Sequence, residues 1–159
     1  MAHEYRAGIV WTRGDAHFLD KRYSRGHVWR FDGGVEVPAS SSPLSVPLPL
    51  SRADAVDPEE ALVAAVSSCH MLFFLDFAAQ AGFVVDRYED AAVGEMTRNA
   101  RGKLFVSKIT LNPSVVFAGS KRPGEHDVGE LHHHSHEECY IANSVRAEVV
   151  LGSVRFSMS

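Results

Sequence analysis

The sequence predicts an α+β fold in which antiparallel sheets pack on two buried central helices. Three observations support this fold class. A long apolar helix starts at Asp57 and runs to about Ala81, a second helix is predicted from Glu130 to Asn143, and strand patterns lie before, between and after the helices. Separate groups of strands and helices of this kind are typical of α+β domains. The length of 159 residues suits one domain, so we expect a single domain over residues 1–159.

The first third of the chain is predicted to form strands joined by turns. A loose alternation of apolar residues predicts a strand within His3 to Trp11, and Val28 to Phe31 forms a short aromatic strand. The Gly33-Gly34 pair is typical of a hairpin turn, after which Val35 to Val37 returns as a strand. Four prolines and a serine run predict a loop from Pro38 to Pro49, because proline blocks both helices and central strands.

The first helix has well-defined ends in the sequence. Asp57 is a good N-cap, Pro58 suits the first helical position, and Gly82 suits the residue just past the end. The side chains between these ends are apolar on almost every side, which predicts a helix buried on all faces. Cys69 lies midway along this helix.

The remaining half of the chain, from Phe83 onward, is predicted as strands around the second helix. Leu104 to Phe117 has the clearest strand pattern and is broken near Pro113, whereas the polar stretch from Ala118 to Gly129 is predicted to be a loop. The other predictions are a strand region at Phe83–Asn99, a turn at Arg98–Gly102 and a closing strand at Val145–Phe156. Since a sheet covers only one side of an apolar helix, we expect a homodimer.

Composition and charge exclude several classes of protein. Hydrophobic residues make up 45% and charged residues 23%, as in soluble globular proteins. A net charge of −4 and a pI of about 6.1 disfavour a nucleic-acid partner. The apolar stretch from Ala61 to Leu75 is interrupted by polar residues and bracketed by acids, so we expect no membrane span. The first residues lack the apolar core of a signal peptide, and the expected location is cytoplasmic.

The sequence contains two cysteines, Cys69 and Cys139. Two cysteines 70 residues apart do not form the disulfide framework of a small secreted protein, so they are inert core thiols or a redox couple. In a redox couple, one thiolate attacks a peroxide and becomes a sulfenic acid. The second thiol then condenses with this acid to a disulfide and prevents over-oxidation.

The segments around both cysteines resemble the OsmC/Ohr family of osmotically inducible and organic hydroperoxide resistance proteins, in its OsmC-like branch. The stretch Asp57-Pro-Glu-Glu-Ala-Leu-Val-Ala-Ala-Val-Ser-Ser-Cys69 is similar to the family signature of Asn-Pro-Glu, a small-residue helix and a cysteine. The stretch Glu-Glu-Cys139-Tyr-Ile-Ala-Asn-Ser-Val is similar to the second cysteine helix of the family. This chain departs from the pattern at Asp57, at His70 and at Tyr140, where Asn, an aromatic residue and Pro are common.

The resemblance implies an OsmC-like fold, an intertwined homodimer and a thiol-dependent peroxidase that reduces organic hydroperoxides in oxidative-stress defence. Cys69 would be the peroxidatic cysteine and Cys139 the resolving cysteine. Glu59 would orient an arginine that stabilises the thiolate. The implied reductant is a dithiol, either a lipoylated protein or a thioredoxin-type protein, and no cofactor or metal is required. The alternative is that Glu59 is only an acid of the first helical turn, an interpretation that fits Glu60 better.

Three arginines are candidates for the role beside the thiolate. Arg25 precedes the proline-rich loop and is the first choice, Arg30 in Trp-Arg-Phe-Asp is the second, and Arg13 is the third. In one strand, Arg25 and Arg30 would point to opposite faces, so at most one of them reaches a given site.

A histidine tract next to Cys139 supports an alternative function. His132 and His136 have the i, i+4 spacing of metal ligands, and His136 is three residues before Cys139, so zinc or copper binding is geometrically possible. His133 or His136 could instead line a peroxide pocket. His70 points about 100° away from Cys69 on a helix, which argues against direct activation of the thiol. The alternatives to a peroxidase are therefore a metal-binding protein and a non-catalytic protein that binds a small ligand.

Overall fold

The computed structural model describes residues 2–159 and has the predicted α+β architecture. The helices are α1 (Pro58–Gln80) and α2 (Glu125–Glu138), followed by a short 3-10 turn at Ala142–Ser144. The strands are β1 (Ala7–Val10), β2 (His27–Phe31), β3 (Glu36–Ala39), β4 (Val84–Asp90), β5 (Val93–Arg98), β6 (Leu104–Leu111), β7 (Pro113–Ala118), β8 (Glu148–Leu151) and β9 (Arg155–Met158). The residues form two compact units, one up to Ala61 and one from Leu62 to Ser159.

The first unit contains an antiparallel sheet in the order β1-β2-β3. The predicted Gly33-Gly34 turn joins β2 to β3, and Gly34 adopts a φ of +79°, which favours glycine. The predicted start of the loop at Pro38 was wrong, because Pro38 lies within β3 and pairs with Val28. A proline is tolerated there because β3 is at the edge of the sheet.

Helix α1 begins and ends at the predicted residues. The Asp57 carboxylate accepts a hydrogen bond from the backbone N–H of Glu60 at 2.8 Å, and the Glu60 side chain accepts one from the backbone N–H of Asp57, which is a capping box. At the other end, Gly82 adopts a φ of +78°. The N–H groups of Gly82 and Phe83 bond back to carbonyls of the last turn, as in a Schellman motif.

Helix α1 buries one face rather than all of them. The buried residues recur every four positions and are Val66, His70, Phe74 and Ala78. Leu72, on another face, is 60% exposed, so the prediction of burial on every side was wrong for the single chain. By length and mean hydropathy (1.8) α1 could cross a membrane, a property shared by core helices of soluble proteins. The buried stripe shows that one face of α1 packs against the rest of the chain.

The second unit contains two mixed sheets, in the orders β4-β7-β9 and β5-β6-β8. The predicted antiparallel pairing holds between β4 and β7 and between β5 and β6, whereas β8 is parallel to β6 and β9 is parallel to β7. A crossover through α2 returns the chain in the original direction, which permits parallel pairing. The predicted last strand divides at Gly152, where a Cβ atom would lie 2.5 Å from Asn112 Oδ1.

Helix α2 begins and ends about five residues earlier than predicted. It starts after Gly124, whose N–H donates to the Asp127 carboxylate at 2.8 Å, and it ends before Cys139, which has a non-helical ψ of 109°. The glycines of the segment predicted as a loop, Gly124 and Gly129, therefore lie at the start and in the interior of the helix. Cys139 is a cap residue and not a helical one.

Two apolar clusters join the helices to the sheets of the second unit. Phe74 and Ala78 of α1 pack with Val115 and Phe117 of β7, and this cluster also contains Val128 and Leu131 of α2. A second cluster consists of Val66 of α1 with Ile109 and Leu111 of β6. α1 is thus a shared element of both clusters, and it carries Cys69 between them.

Candidate functional site

The two cysteines meet where the end of α2 approaches the middle of α1. Both thiols are free; Cys69 is half-buried and Cys139 is fully buried. The Cys139 sulfur lies 3.9 Å from the carbonyl oxygen of Val66, one turn before Cys69 on α1, and Cys69 is close enough to contribute to the raised pKa of the Cys139 thiol. The pairing of the two predicted site cysteines therefore has a direct geometric basis.

Local hydrogen bonds hold Cys139 in place. The backbone N–H of Ala142 donates to its sulfur at 3.3 Å, and the Asn143 amide donates to the Cys139 carbonyl at 3.1 Å. Burial raises the pKa of the Cys139 thiol to about 11, and the hydrogen bond and charge of Cys69 act in the same direction, against the opposing contribution of the Ala142 N–H. Cys139 is therefore a protonated thiol at neutral pH, which argues against it as the thiolate that attacks a peroxide first.

The two acids of the first turn of α1 have separate positions. Glu60 forms the capping box with Asp57, which accounts for it as a structural residue. The half-buried Glu59 takes no part in that cap. A capping role for Glu59 is therefore not supported, whereas its role beside an arginine stays a prediction.

Arg25 lines a cavity within the first unit. The cavity has a volume of about 460 Å³ and is mainly apolar; its lining includes Ile9, Trp11, Phe18, Tyr23, Arg25, His27 and Ser41. The Arg25 guanidinium stacks on the Tyr23 ring at 4.0 Å and donates to the carbonyl oxygens of Lys21 and Tyr23. These contacts, and not one with Glu59, orient the guanidinium. The prediction that Arg25 lies in a strand was wrong, because β2 begins at His27.

The other two candidate arginines are engaged elsewhere on the surface of the same unit. Arg30 in β2 forms an ion pair with Glu36 at 2.6 Å, and both side chains are more than half exposed. Arg13 is exposed and donates to the carbonyl oxygen of Ala16 at 2.9 Å. Of the three, Arg25 is the one whose charge faces an organic-sized cavity.

A buried histidine pair connects the two helices of the second unit. His70 Nε2 and His132 Nδ1 are 2.9 Å apart, within hydrogen-bond distance, and the rings stack at 5.2 Å. Both residues are fully buried. Phe74 packs on His132 at 4.4 Å between ring centroids. As predicted, His70 does not face Cys69; instead it faces α2.

The pair is neutral at physiological pH. Burial lowers the pKa of His70 to about 4, helped by the charge of His136 and opposed by Asp90. Burial, together with the neighbouring His70, lowers the pKa of His132 to about 3. The other ring nitrogens, His70 Nδ1 and His132 Nε2, are buried without a hydrogen-bond partner among residues 2–159. Burial likewise raises the pKa of Tyr88, whose hydroxyl also has no partner in the described chain.

Mild acid is expected to destabilise the protein through this pair. Exposed imidazoles of the unfolded chain bind protons below about pH 6.5, whereas His70 and His132 in the fold do so only near pH 4 and 3. Over this pH range the unfolded chain binds more protons than the folded protein does. The free energy of unfolding should therefore fall as the pH drops from 6.5 towards 4, by about 1.4 kcal/mol per pH unit for each histidine.

Urea unfolding at pH 7, 6 and 5 measures this dependence. A His70→Leu/His132→Leu double variant should show a shallower slope, while His133→Ala, at an exposed position, should keep the slope of the parent. An unchanged slope in the double variant would assign the acid sensitivity to other groups.

The rest of the histidine tract lies on the exposed face of α2. His133 is 3.4 Å from Glu137 and His134 is 3.9 Å from Glu130, and His136 is exposed. His132 is turned into the core, so the predicted His132–His136 ligand pair does not form. Among residues 2–159, no three His, Cys, Asp or Glu side chains are arranged to hold a metal ion. The geometry thus gives the metal-binding alternative no support.

The role of His132 as the partner of His70 was missed at the sequence level. The signal was present in the spacing, because His70 is in register with the apolar residues Val66 and Phe74 on α1, and His132 follows Leu131 on the apolar face of α2. Two polar residues in the apolar faces of two helices indicate a buried pair. The sequence does not show that the two faces meet.

Comparisons with known proteins support the same fold. Residues 51–153 match the family model described as OsmC-like protein. An OsmC-like protein of unknown function from Vibrio cholerae is 49% identical, with a TM-score of 0.93 over 96% of this chain and 99% of that chain. No curated protein matches.

Two solved structures of organic hydroperoxide resistance proteins share the fold at low sequence identity. The protein from Elizabethkingia anophelis is 16% identical, with a TM-score of 0.67 and full coverage of both chains. The one from Bacillus subtilis is 14% identical, with a TM-score of 0.60 and 98% coverage of both chains. At such identities the likeness concerns the fold alone.

Proposed function

We propose that this chain, which belongs to the OsmC-like family, is a cysteine-based thiol peroxidase for organic hydroperoxides. The Cys69 thiolate would attack the outer peroxide oxygen, and the O–O bond would break. With one proton taken up, the products are an alcohol and the Cys69 sulfenic acid. Cys139 would then condense with this acid, releasing water and forming a disulfide. A dithiol reductant, a lipoylated or thioredoxin-type protein, would restore both thiols.

The observation that carries the proposal is the proximity of the two thiols. A redox couple needs a reactive thiol with access to substrate and a second thiol nearby. Cys69 is half-buried, which leaves it a route to solvent, and the buried Cys139 lies against α1 one turn from it.

The cavity of the first unit supports an organic substrate and Arg25 as the activating cation. Its aromatic walls suit an alkyl or aryl group, and its volume of about 460 Å³ is in the range of small-ligand pockets. The guanidinium would stabilise the thiolate and the charge that develops on the peroxide. We propose Arg25 for this role because Arg30 is paired with Glu36 and Arg13 is exposed. Glu59 would help to orient the arginine during the reaction.

The test is a count of free thiols, by alkylation and intact mass, before and after one equivalent of cumene hydroperoxide. We expect the loss of two thiols and of two hydrogens in mass, because a Cys69–Cys139 disulfide forms. Cumyl alcohol of the same concentration is the control and should change nothing. Retention of both thiols at a modest excess of peroxide would overturn the peroxidase proposal and favour a non-catalytic ligand-binding protein.

We also propose that the protein acts as a homodimer in the cytoplasm. Leu72 of α1 is 60% exposed, and a second copy of the chain would remove it from water. A Leu72→Asp substitution is expected to shift the species seen by light scattering towards the monomer, because it places a charge in the interface. Leu44→Asp, in the loop of the first unit, is the control. A parent protein that is monomeric at micromolar concentration would contradict the dimer.

A further inference from the structure

We propose that the His70–His132 pair is a positioning device that holds Cys139 against Cys69. The pair would fix the register of α2 on α1, and it would thereby determine whether the oxidised Cys69 is resolved or over-oxidised. This inference rests on the proposed function for its biological meaning. The placement of the Cys139 thiol relative to the Cys69 thiol can be tested without any peroxide.

The two helices touch at two polar points. At one point the Cys139 sulfur lies against the Val66 carbonyl oxygen, and at the other His132 bonds to His70. On α1 these points are four residues apart, and on α2 they are seven residues apart in the opposite direction. Because α2 is a rigid helix that ends one residue before Cys139, fixing His132 against His70 constrains where Cys139 lies.

The other contacts between α1 and α2 include an apolar cluster with Phe74, Ala78, Val128 and Leu131, and apolar contacts are non-directional. The hydrogen bond of 2.9 Å between the two rings is directional, because it weakens steeply when its geometry is disturbed. Among the described residues, the histidine pair is thus the contact best able to exclude neighbouring registers.

The pair is held by its surroundings and is not optimised for stability. Phe74 packs on His132, and Tyr88 of β4 flanks the same ring at 6.4 Å between centroids. Each histidine has one buried nitrogen without a hydrogen-bond partner in residues 2–159, which costs free energy. Two apolar side chains of similar size would avoid this cost. A buried polar contact that adds little stability is well suited to specifying one arrangement, as polar core residues do in coiled coils.

The register matters because two reactions compete for the Cys69 sulfenic acid. In one, the Cys139 thiol attacks the sulfenic sulfur, a disulfide forms and water leaves. In the other, a second hydroperoxide oxidises the sulfenic acid to the sulfinic acid and leaves as the alcohol. The first reaction is intramolecular, so its rate depends on how often the two sulfurs are in bonding geometry. Displacement of Cys139 by a fraction of a helical turn would favour the second.

The experiment compares the parent with His70→Leu/His132→Leu, in which both polar partners are removed together, and with His132→Asn. The asparagine oxygen takes the place of Nδ1 and retains a partner for His70. Disulfide closure is driven by diamide, which oxidises two neighbouring thiols without a peroxide. Alkylation at timed intervals gives the rate of closure, and circular dichroism confirms that each variant is folded.

We expect the double variant to close the disulfide at least tenfold more slowly than the parent, and His132→Asn to remain within about threefold of the parent. With cumene hydroperoxide, the double variant should form the sulfenic acid at the parent rate, as trapped by dimedone, but give more sulfinic acid. Closure at the parent rate in the double variant would overturn the proposal. Equal slowing in His132→Asn would also overturn it, because the hydrogen bond would then not be the cause.

The two proposals fail in different ways. A parent that closes its disulfide with diamide but does not react with hydroperoxide would leave the positioning role intact and remove the peroxidase. A parent that reacts with hydroperoxide, together with a double variant that forms the disulfide as fast as the parent, would support the peroxidase and overturn the positioning role.

Discussion

The Cys69→Ser variant is expected to have no hydroperoxide reductase activity at all. A serine hydroxyl is not ionised at neutral pH and cannot form a sulfenic acid, so the first chemical step is lost. The hydroxyl has nearly the shape of the thiol, and the half-buried position should accept it with little change in stability. Turnover is measured as the loss of cumene hydroperoxide in the presence of a dithiol such as dihydrolipoamide.

The Cys139→Ser variant is the matched partner, and it should behave differently. It retains the attacking sulfur, so we expect one equivalent of hydroperoxide to be reduced at the parent rate. Without a resolving thiol, excess peroxide then adds a second oxygen to Cys69 and inactivates it. Intact mass should show the addition of two oxygens, whereas the parent under the same conditions loses two hydrogens.

The two variants together separate the mechanism from its alternatives. Equal activity in Cys69→Ser and the parent would show that Cys69 is not the peroxidatic residue. A full loss in Cys139→Ser before the first turnover would assign Cys139 to the first step, in conflict with its burial and raised pKa. The predicted pattern requires total loss in one variant and a single turnover in the other.

Local signals in the sequence predicted α1 and its caps correctly. An N-cap, a first-turn proline and a C-terminal glycine act within a few residues, so the interactions at Asp57, Glu60 and Gly82 do not depend on the rest of the fold. The pairing of Cys69 with Cys139 was predicted from the motifs around each cysteine. The contact itself brings together residues that are 70 positions apart, and only the resemblance could anticipate it.

The bounds of the second helix and the histidine pair were missed for physical reasons. Gly124 and Gly129 are typical of loops, and packing of Val128 and Leu131 into the core overrides that propensity. His70 and His132 are 62 residues apart, and each alone is a polar residue that a helix tolerates on its surface. Their pairing depends on the register of two helices, which is a tertiary property that no local pattern contains.

Removal of the Arg25 guanidinium is expected to have the second largest effect on activity. In the Arg25→Ala variant, kcat/KM for cumene hydroperoxide should fall by about 10²–10³-fold, the usual effect of removing one preorganised group that stabilises developing charge. Arg25→Lys should recover only part of this loss, since lysine keeps the charge but lacks the planar fork of donors and the stacking on Tyr23. Stopped-flow measurement of the first turnover isolates this step from reduction of the disulfide.

Arg13→Ala and Arg30→Ala are the controls, because both arginines belong to the same unit and carry the same charge. Their removal should change kcat/KM less than about threefold, as expected for exposed charges. A large effect in Arg30→Ala with a small one in Arg25→Ala would transfer the activating role to Arg30. The cavity beside Arg25 would then have no part in the peroxide chemistry. The guanidinium that lines the cavity would serve only to bind a ligand.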